Sequence, residues 1–191
     1  MGQGALGAYR GRVISRVRRT APRLFAPTDA MLEWMAATNI ELEFAERGFA
    51  PELAGLSRDL IEAGLGWTYR ADRIRALIND PNVVTIVARD DRCIVGFAVM
   101  HFADERAHLV LLAVRPTYQR KGIARRMIEW LEKSALVAGI ASIQVEVRAN
   151  NVAALAFYRA MRFTTMRDLV GYYRGREGAM RMLRVLRSSV T

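Results

Sequence analysis

The sequence is short of the residues that staple or ligate. Its 191 residues include one cysteine, Cys93, and two histidines, His101 and His108. A single thiol excludes an internal disulfide and a multi-cysteine zinc site, and two histidines are too few for a histidine-built metal site; no metal is expected. The chain fits a reducing compartment, and a cytoplasmic location is expected. No apolar run reaches the ~18–20 residues of a membrane helix. No apolar stretch of signal-peptide length follows the basic start. Met1-Gly2 is followed by Leu6 where myristoylation needs Ser or Thr, so that motif fails as well. Acidic residues are scarce, 19 against 29 lysines and arginines, for a formal net charge of +10. That imbalance favours anionic partners such as a polyphosphate, RNA or an acidic peptide, and general solubility is its plain alternative. Internal repeats and low-complexity segments are absent.

What is present describes one folded domain with a basic extension. Apolar residues make up 52% and charged residues 25%, ordinary values for a chain long enough to bury a sizeable core. Residues 1–38 read as a basic arm plus a short helix, and 39–191 as the domain. Arg10, Arg12, Arg16, Arg18, Arg19 and Arg23 precede the first acidic residue, Asp29. Such a segment fits a plain basic arm that contacts the ribosome or a partner subunit or stays mobile; a mitochondrial transit peptide has the same composition. Thr28 or Asp29 caps a helix to about residue 37, with Met31, Leu32, Trp34 and Met35 covering the core edge or forming a dimer contact. Monomer and homodimer both remain open.

Along the domain, residues 40–45 alternate as a half-buried strand. Pro51 starts an amphipathic helix to about residue 63, closed by Gly64 and Gly66. A second helix is read over residues 67–79, stopped by Asp80-Pro81. Strands follow over 83–89, 93–102 (with Gly96 a possible bulge) and 107–115, a meander joined by the turns Asp90-Asp91-Arg92 and Asp104-Glu105-Arg106. A helix with Ala124, Ile128, Leu131, Ala135 and Ala138 on one face, a strand over 142–148 and a helix over 151–161 come next. Strands over 163–173 and 179–187 close the chain around a turn at 174–178.

The most informative stretch is Leu112-Ala113-Val114-Arg115-Pro116-Thr117-Tyr118-Gln119-Arg120-Lys121-Gly122-Ile123-Ala124. It is a strand, a basic turn with Gly122 at its centre, and a helix start. The first N–H groups of a helix lack internal partners and carry the positive end of the macrodipole, so the turn suits a phosphate. Gly122 leaves the backbone open to close approach. Its spacing matches neither the Rossmann fingerprint nor the P-loop. It resembles the acetyl-CoA motif of the GNAT N-acetyltransferase superfamily.

A second stretch supports the likeness. Glu146-Val147-Arg148-Ala149-Asn150-Asn151 with Ala154 and Tyr158 resembles the other core motif, most narrowly as it stands in bacterial ribosomal-protein N-terminal acetyltransferases; Tyr172-Tyr173 and Gly175-Arg176-Glu177 continue it. The likeness covers about residues 40–186. It implies a mixed α/β (α+β) fold, with a mostly antiparallel twisted sheet of six to seven strands and about four helices. It also implies acetyl transfer from acetyl-CoA to a primary amine, most closely the α-amino group of a protein or peptide. Residue by residue, it implies Glu146 as proton acceptor and Tyr158 as proton donor. Leu112, Ala113 and Val114 would hold the pantetheine arm and acetyl carbonyl. Arg120, Lys121, Gly122, Ile123, Ala124 and Arg125 would hold the pyrophosphate, with Asn151 as a further coenzyme contact. Trp67, Tyr172 and Tyr173 are candidates for the acceptor side. Met161-Arg162-Phe163 departs from the family's Leu-Gly-Phe, the last glycine of the turn is Ala124, and the final hairpin is about three residues short.

The chemistry fits those residue types. The attacking amine must be neutral: an α-amino group of pKa near 8 is about a tenth neutral at pH 7, a lysine near 10.4 well under a thousandth. A carboxylate acting through water therefore suits an N-terminal acceptor, and a phenol suits the leaving thiolate. A backbone N–H near a bulge at Ala113 is expected to meet the oxyanion. On strand alternation Glu146 shares a face with Gln144 and Arg148, which a merely solvated face would also show. His108 is a rival base, and Tyr158 has the plain reading of a core aromatic. Two other functions stay open: acetylation of a small amine or lysine side chain, and a non-catalytic acetyl-CoA-sensing or ribosome-associated protein.

Overall fold

The computed structural model describes residues 40–187, so the arm and the helix expected over 28–37 lie outside the described residues. The apolar periodicities resolve into seven strands and four α-helices among the described residues. In chain order these are β1 (Ile40–Phe44), α1 (Ala50–Leu60), α2 (Ala71–Asn79), β2 (Val83–Asp90), β3 (Cys93–Phe102), β4 (Arg106–Val114), α3 (Ile123–Val137), β5 (Ser142–Arg148), α4 (Val152–Ala160), β6 (Thr164–Tyr173) and β7 (Glu177–Val185). They form one sheet in the order β1-β2-β3-β4-β5-β7-β6. Every neighbouring pair is antiparallel except β4 and β5. That parallel pair needs a long crossover, and α3 supplies it.

Two apolar layers follow from the period-two alternation of the strands. On β3, Phe97 and Val99 face α1 and α2, meeting Leu53 and Ile74. Ala98 and Met100 face the opposite layer with Met127, Ile128 and Leu131 of α3. β5 repeats the device: Ile143, Val145 and Val147 are buried against α3 and α4, while Gln144, Glu146 and Arg148 point to the other face.

Three expected details are corrected. The second helix starts at Ala71 rather than residue 67. The reason is Glu62: its carboxylate accepts from the N–H of Thr68 at 2.6 Å and of Tyr69 at 3.1 Å, and from the Ser57 hydroxyl at 3.0 Å. That anchor ties residues 68 and 69 back to the end of α1, and Arg70 at the helix entry is extended, with ψ 168°. The bulge expected near Ala113 falls earlier. Val99 pairs Leu111 and Met100 pairs Leu109, which leaves Val110 unmatched. The Gly96 bulge is displaced by one: Ala88 pairs Gly96 and Arg89 pairs Ile94, so Val95 is the extra residue. Gly96 is needed for another reason, since a Cβ there would stand 2.9 Å from the carbonyl oxygen of Ala113.

Candidate active site

β4 and β5 hold together at only one end. Their ladder runs through Arg106↔Ser142, Ala107↔Ile143 and His108↔Gln144 and then stops. β4 continues to Val114 and β5 to Arg148. Past His108 the strands part, just where Val110 breaks the register with β3. The β5-facing edge of β4 therefore carries backbone groups with no ladder partner, and such groups are strong donors and acceptors for a bound molecule. A cavity of about 690 Å³ opens in this gap. Its walls include residues 108–112 of β4, 145–148 of β5, Asn151 just before α4, Tyr158 of α4, the α1–α2 loop, and the end of the β6–β7 hairpin.

His108 and Glu146 meet inside it. His108 Nε2 lies 2.5 Å from Glu146 Oε2. Glu146 Oε1 accepts from Arg181 Nε at 2.8 Å and from Gln144 Nε2 at 2.7 Å. The Glu146 side chain is 5% exposed and that of His108 39%. Burial pushes the Glu146 carboxyl up, but the hydrogen bonds and charges of His108 and Arg181 together outweigh it and hold the group below its ordinary value. A carboxylate with both oxygens engaged is an orienter and counter-charge first and a proton acceptor second.

Tyr158 stands on α4, packed edge-on against Phe157 and Phe163 with ring centroids 5.3 Å apart in each case. Burial and the neighbouring Tyr173 push its phenol well above the ordinary value, so it keeps its proton across neutral pH. Tyr172 and Tyr173 also line the cavity and pack edge-on at 5.0 Å. Burial raises Tyr173 to about 12. Asn151 lines the cavity, and its Oδ1 is occupied capping α4 through the N–H of Ala154 at 3.0 Å.

Other expected site residues lie apart from this cavity. Ala113 and Val114 are buried beyond its lining, whereas Leu112 belongs to it. The turn from Gln119 to Arg125 also lies outside the lining. In this turn Arg120 and Gly122 have φ of 62° and 74°, and no side chain caps α3. The amides of Ile123, Ala124 and Arg125 open the helix, where intrahelical acceptors are lacking. Trp67 is not on the cavity wall. It is 37% exposed, stacked with Arg58 and Arg70, and donates from its indole to the Tyr69 carbonyl. Tyr69 lines the cavity instead.

Sequence reasoning missed three supports. Arg181 lies directly opposite Glu146 across β5 and β7, a register that is unreadable until the last hairpin is known to enter the sheet beside β5. Arg148 donates to Glu177 at 2.6 and 2.9 Å and to the Ala63 carbonyl at 2.8 Å, joining β5, the hairpin and the α1–α2 loop. Glu62, anchoring that loop, follows an unremarkable amphipathic helix and gives no local signal.

The comparisons agree with this architecture. The chain is 37% identical over 90 residues to the [Ribosomal protein bS18]-alanine N-acetyltransferase of Escherichia coli K12, a match covering 46% of this chain and 61% of that relative. It thus spans about three fifths of that relative's length. The crystal structure of the ribosomal-protein-S18-alanine N-acetyltransferase from Escherichia coli superposes with a TM-score of 0.69 at 24% identity, over 78% of this chain and 96% of that one. Arabidopsis thaliana NAA60 in complex with acetyl-CoA superposes at 0.67 with 19% identity, over 76% and 98%. The model of the acetyltransferase (GNAT) family matches residues 53–163, which take in the splayed strands, the basic turn and Tyr158: the chain belongs to the GNAT acetyltransferase family.

Proposed function

We propose that this chain transfers an acetyl group from acetyl-CoA to the α-amino group of a protein or peptide. The observation that carries the reading is the His108–Glu146 pair and the Tyr158 hydroxyl on the walls of one cavity, which opens where β4 leaves β5. The name of the bacterial relative, an alanine N-acetyltransferase acting on a ribosomal protein, supports the choice of acceptor. The structure of NAA60 with acetyl-CoA supports the choice of donor.

The residues fit such a donor. The left-handed backbone at Arg120 and Gly122 and the uncapped amides of α3 suit a diphosphate. The unpaired edge of β4 suits an extended amide-bearing arm laid along it. Bound there, the coenzyme supplies an activated acyl thioester. The chain's own residues supply the proton movements. His108 Nε2–H donates to Glu146, which leaves Nδ1 as the acceptor for the proton of the incoming ammonium, directly or through water. Glu146 stabilises the imidazolium that results, and Arg181 and Gln144 keep the carboxylate in place. The Tyr158 hydroxyl holds a proton for the leaving sulfur. Burial makes the phenolate costly, but a thiolate expelled into the same dry site is destabilised too, which restores the driving force. A backbone N–H on the free edge of β4 is the donor for the carbonyl oxygen.

The test is the full chain, acetyl-CoA and peptides with either a free or a blocked α-amine, read by mass spectrometry. Acetylation confined to the free N-terminus is expected. Acetylation of internal lysines in the blocked peptides, or of free polyamines alone, would overturn the reading.

A further inference from the structure

We propose that the acceptor carries an acidic side chain close behind its amine, and that Arg174 is the residue that selects it. The inference rests on the N-terminal acceptor just argued and adds the chemical class of its first residues.

Charge accounting around the cavity points there. Four other lining groups are committed to partners: Glu62 to the Ser57 hydroxyl and the amides of Thr68 and Tyr69, His108 and Glu146 to each other, and Arg148 to Glu177 and the Ala63 carbonyl. Arg174 also lines the cavity, and among the described residues no carboxylate lies within ion-pairing distance of it. It occupies the turn of the β6–β7 hairpin with φ 53°. Its guanidinium lies across the mouth against Gly66 of the α1–α2 loop. A Cβ added to Gly66 would come within 2.7 Å of Nη1 and 2.9 Å of Cζ. The absence of a side chain at Gly66 leaves the room that the guanidinium occupies beside the α1–α2 loop.

Two further arginines follow in the α1–α2 loop and α2. Arg73 stacks on Tyr69 at 4.5 Å and Arg70 on Trp67 at 5.6 Å, both without an ion-pair partner among the described residues. The nearby acids are spoken for: Asp59 by Arg58, Asp72 by Arg75 and Glu177 by Arg148. A carboxylate meeting Arg174 gains a charge-assisted, bidentate contact, while a lysine or arginine in the same place meets a like charge. The turn at Gln119–Gly122 stands outside the cavity lining, so coenzyme phosphates have a separate place.

Three peptides of equal length, each beginning with Ala and continuing with three Asp/Glu, three Ser or three Lys residues, make the test. The full chain is assayed for kcat/KM on each at about 0.05 M and about 0.5 M salt. The acidic peptide is expected to be preferred over the serine peptide about tenfold at low salt, with the preference shrinking at high salt. Arg174→Gln should bring that ratio near one, Arg174→Lys should keep part of it, and Arg174→Glu should turn it toward the lysine peptide. Calorimetry with coenzyme A should give the same affinity for all four proteins. Acetylation of all three peptides without preference, or a preference that survives Arg174→Gln, would overturn the inference and leave the N-terminal reading standing. A loss of coenzyme affinity in Arg174→Gln with the peptide ratio unchanged would assign Arg174 to the donor and overturn it too. Acetylation of polyamines but of none of the peptides would remove the reading and the inference together.

Discussion

His108 Nε2 stands 2.5 Å from Glu146 Oε2, at the end of the short ladder that closes with His108 opposite Gln144. The contact joins the two rival bases into one hydrogen-bonded unit. Replacing the imidazole with an amide removes the proton acceptor but keeps a donor to Glu146. His108→Gln should therefore lower kcat/KM for an N-terminal peptide by about 100-fold. Glu146→Gln separates the two mechanisms. If the carboxylate only stabilises the imidazolium, kcat/KM falls with no displacement of the acidic limb to higher pH. A limb displaced to higher pH would make Glu146 itself the base.

Tyr158 is tested by the removal of one oxygen. Its ring contacts with Phe157 and Phe163 are retained in Tyr158→Phe, so the core should hold. kcat should fall about 100-fold, with coenzyme affinity by calorimetry within about threefold of the parent, because the phenol contributes to bond breaking rather than binding. Equal turnover in the two proteins would return Tyr158 to the role of a core aromatic.

The contrast between what the chain disclosed and what it hid follows the range of the interactions. Strand β5 was legible residue by residue, because alternation of Ile143, Val145 and Val147 with Gln144, Glu146 and Arg148 is a local pattern. The entry to α2 was not: Trp67, Thr68 and Tyr69 satisfy the helical period, and a carboxylate at Glu62 takes the amides. The His108–Glu146 contact joins residues 38 apart in the chain and depends on a parallel pairing that begins and ends within three rungs. Arg162 shows the reverse case. Its oddity was visible in the sequence as a bulky cation in a glycine position, and its backbone explains why, with φ 63° directly after α4.

That backbone makes Arg162 a stability site. The residue follows the helix C-terminus in the left-handed region, where a side chain with a Cβ is strained and glycine is at ease. Its N–H still closes on the Arg159 carbonyl at 2.9 Å, and that of Phe163 on the Tyr158 carbonyl at 3.0 Å, so the turn geometry is fixed by the backbone. Arg162→Gly should stabilise the fold by about 0.5–1 kcal/mol, after the greater freedom of glycine in the unfolded chain is offset. Thermal unfolding should rise by about 1–4 °C. An unchanged or lower Tm would show that the arginine side chain contributes more than the strain it imposes.

Glu132 gives the fold a pH dependence separate from the site. It lies on the buried face of α3, with Arg184 Nε 2.8 Å from its Oε1 but not aligned as a hydrogen bond. Burial raises its carboxyl to about 7, against an ordinary value of 4.5, and Arg184 only partly opposes this. The native state therefore holds a proton that the unfolded chain releases at lower pH, and between those two values folding takes up a proton. The contribution to stability is full below about 4.5 and is lost as pH rises through about 7. Thermal unfolding should accordingly lose ground between pH 5 and pH 8. Glu132→Gln, which cannot ionise and still offers Arg184 an oxygen, should flatten that part of the profile and raise the Tm at pH 8 while leaving pH 5 nearly unchanged. A variant with the same slope as the parent would place the ionised carboxylate in a satisfied ion pair, with Arg184 fully compensating its burial.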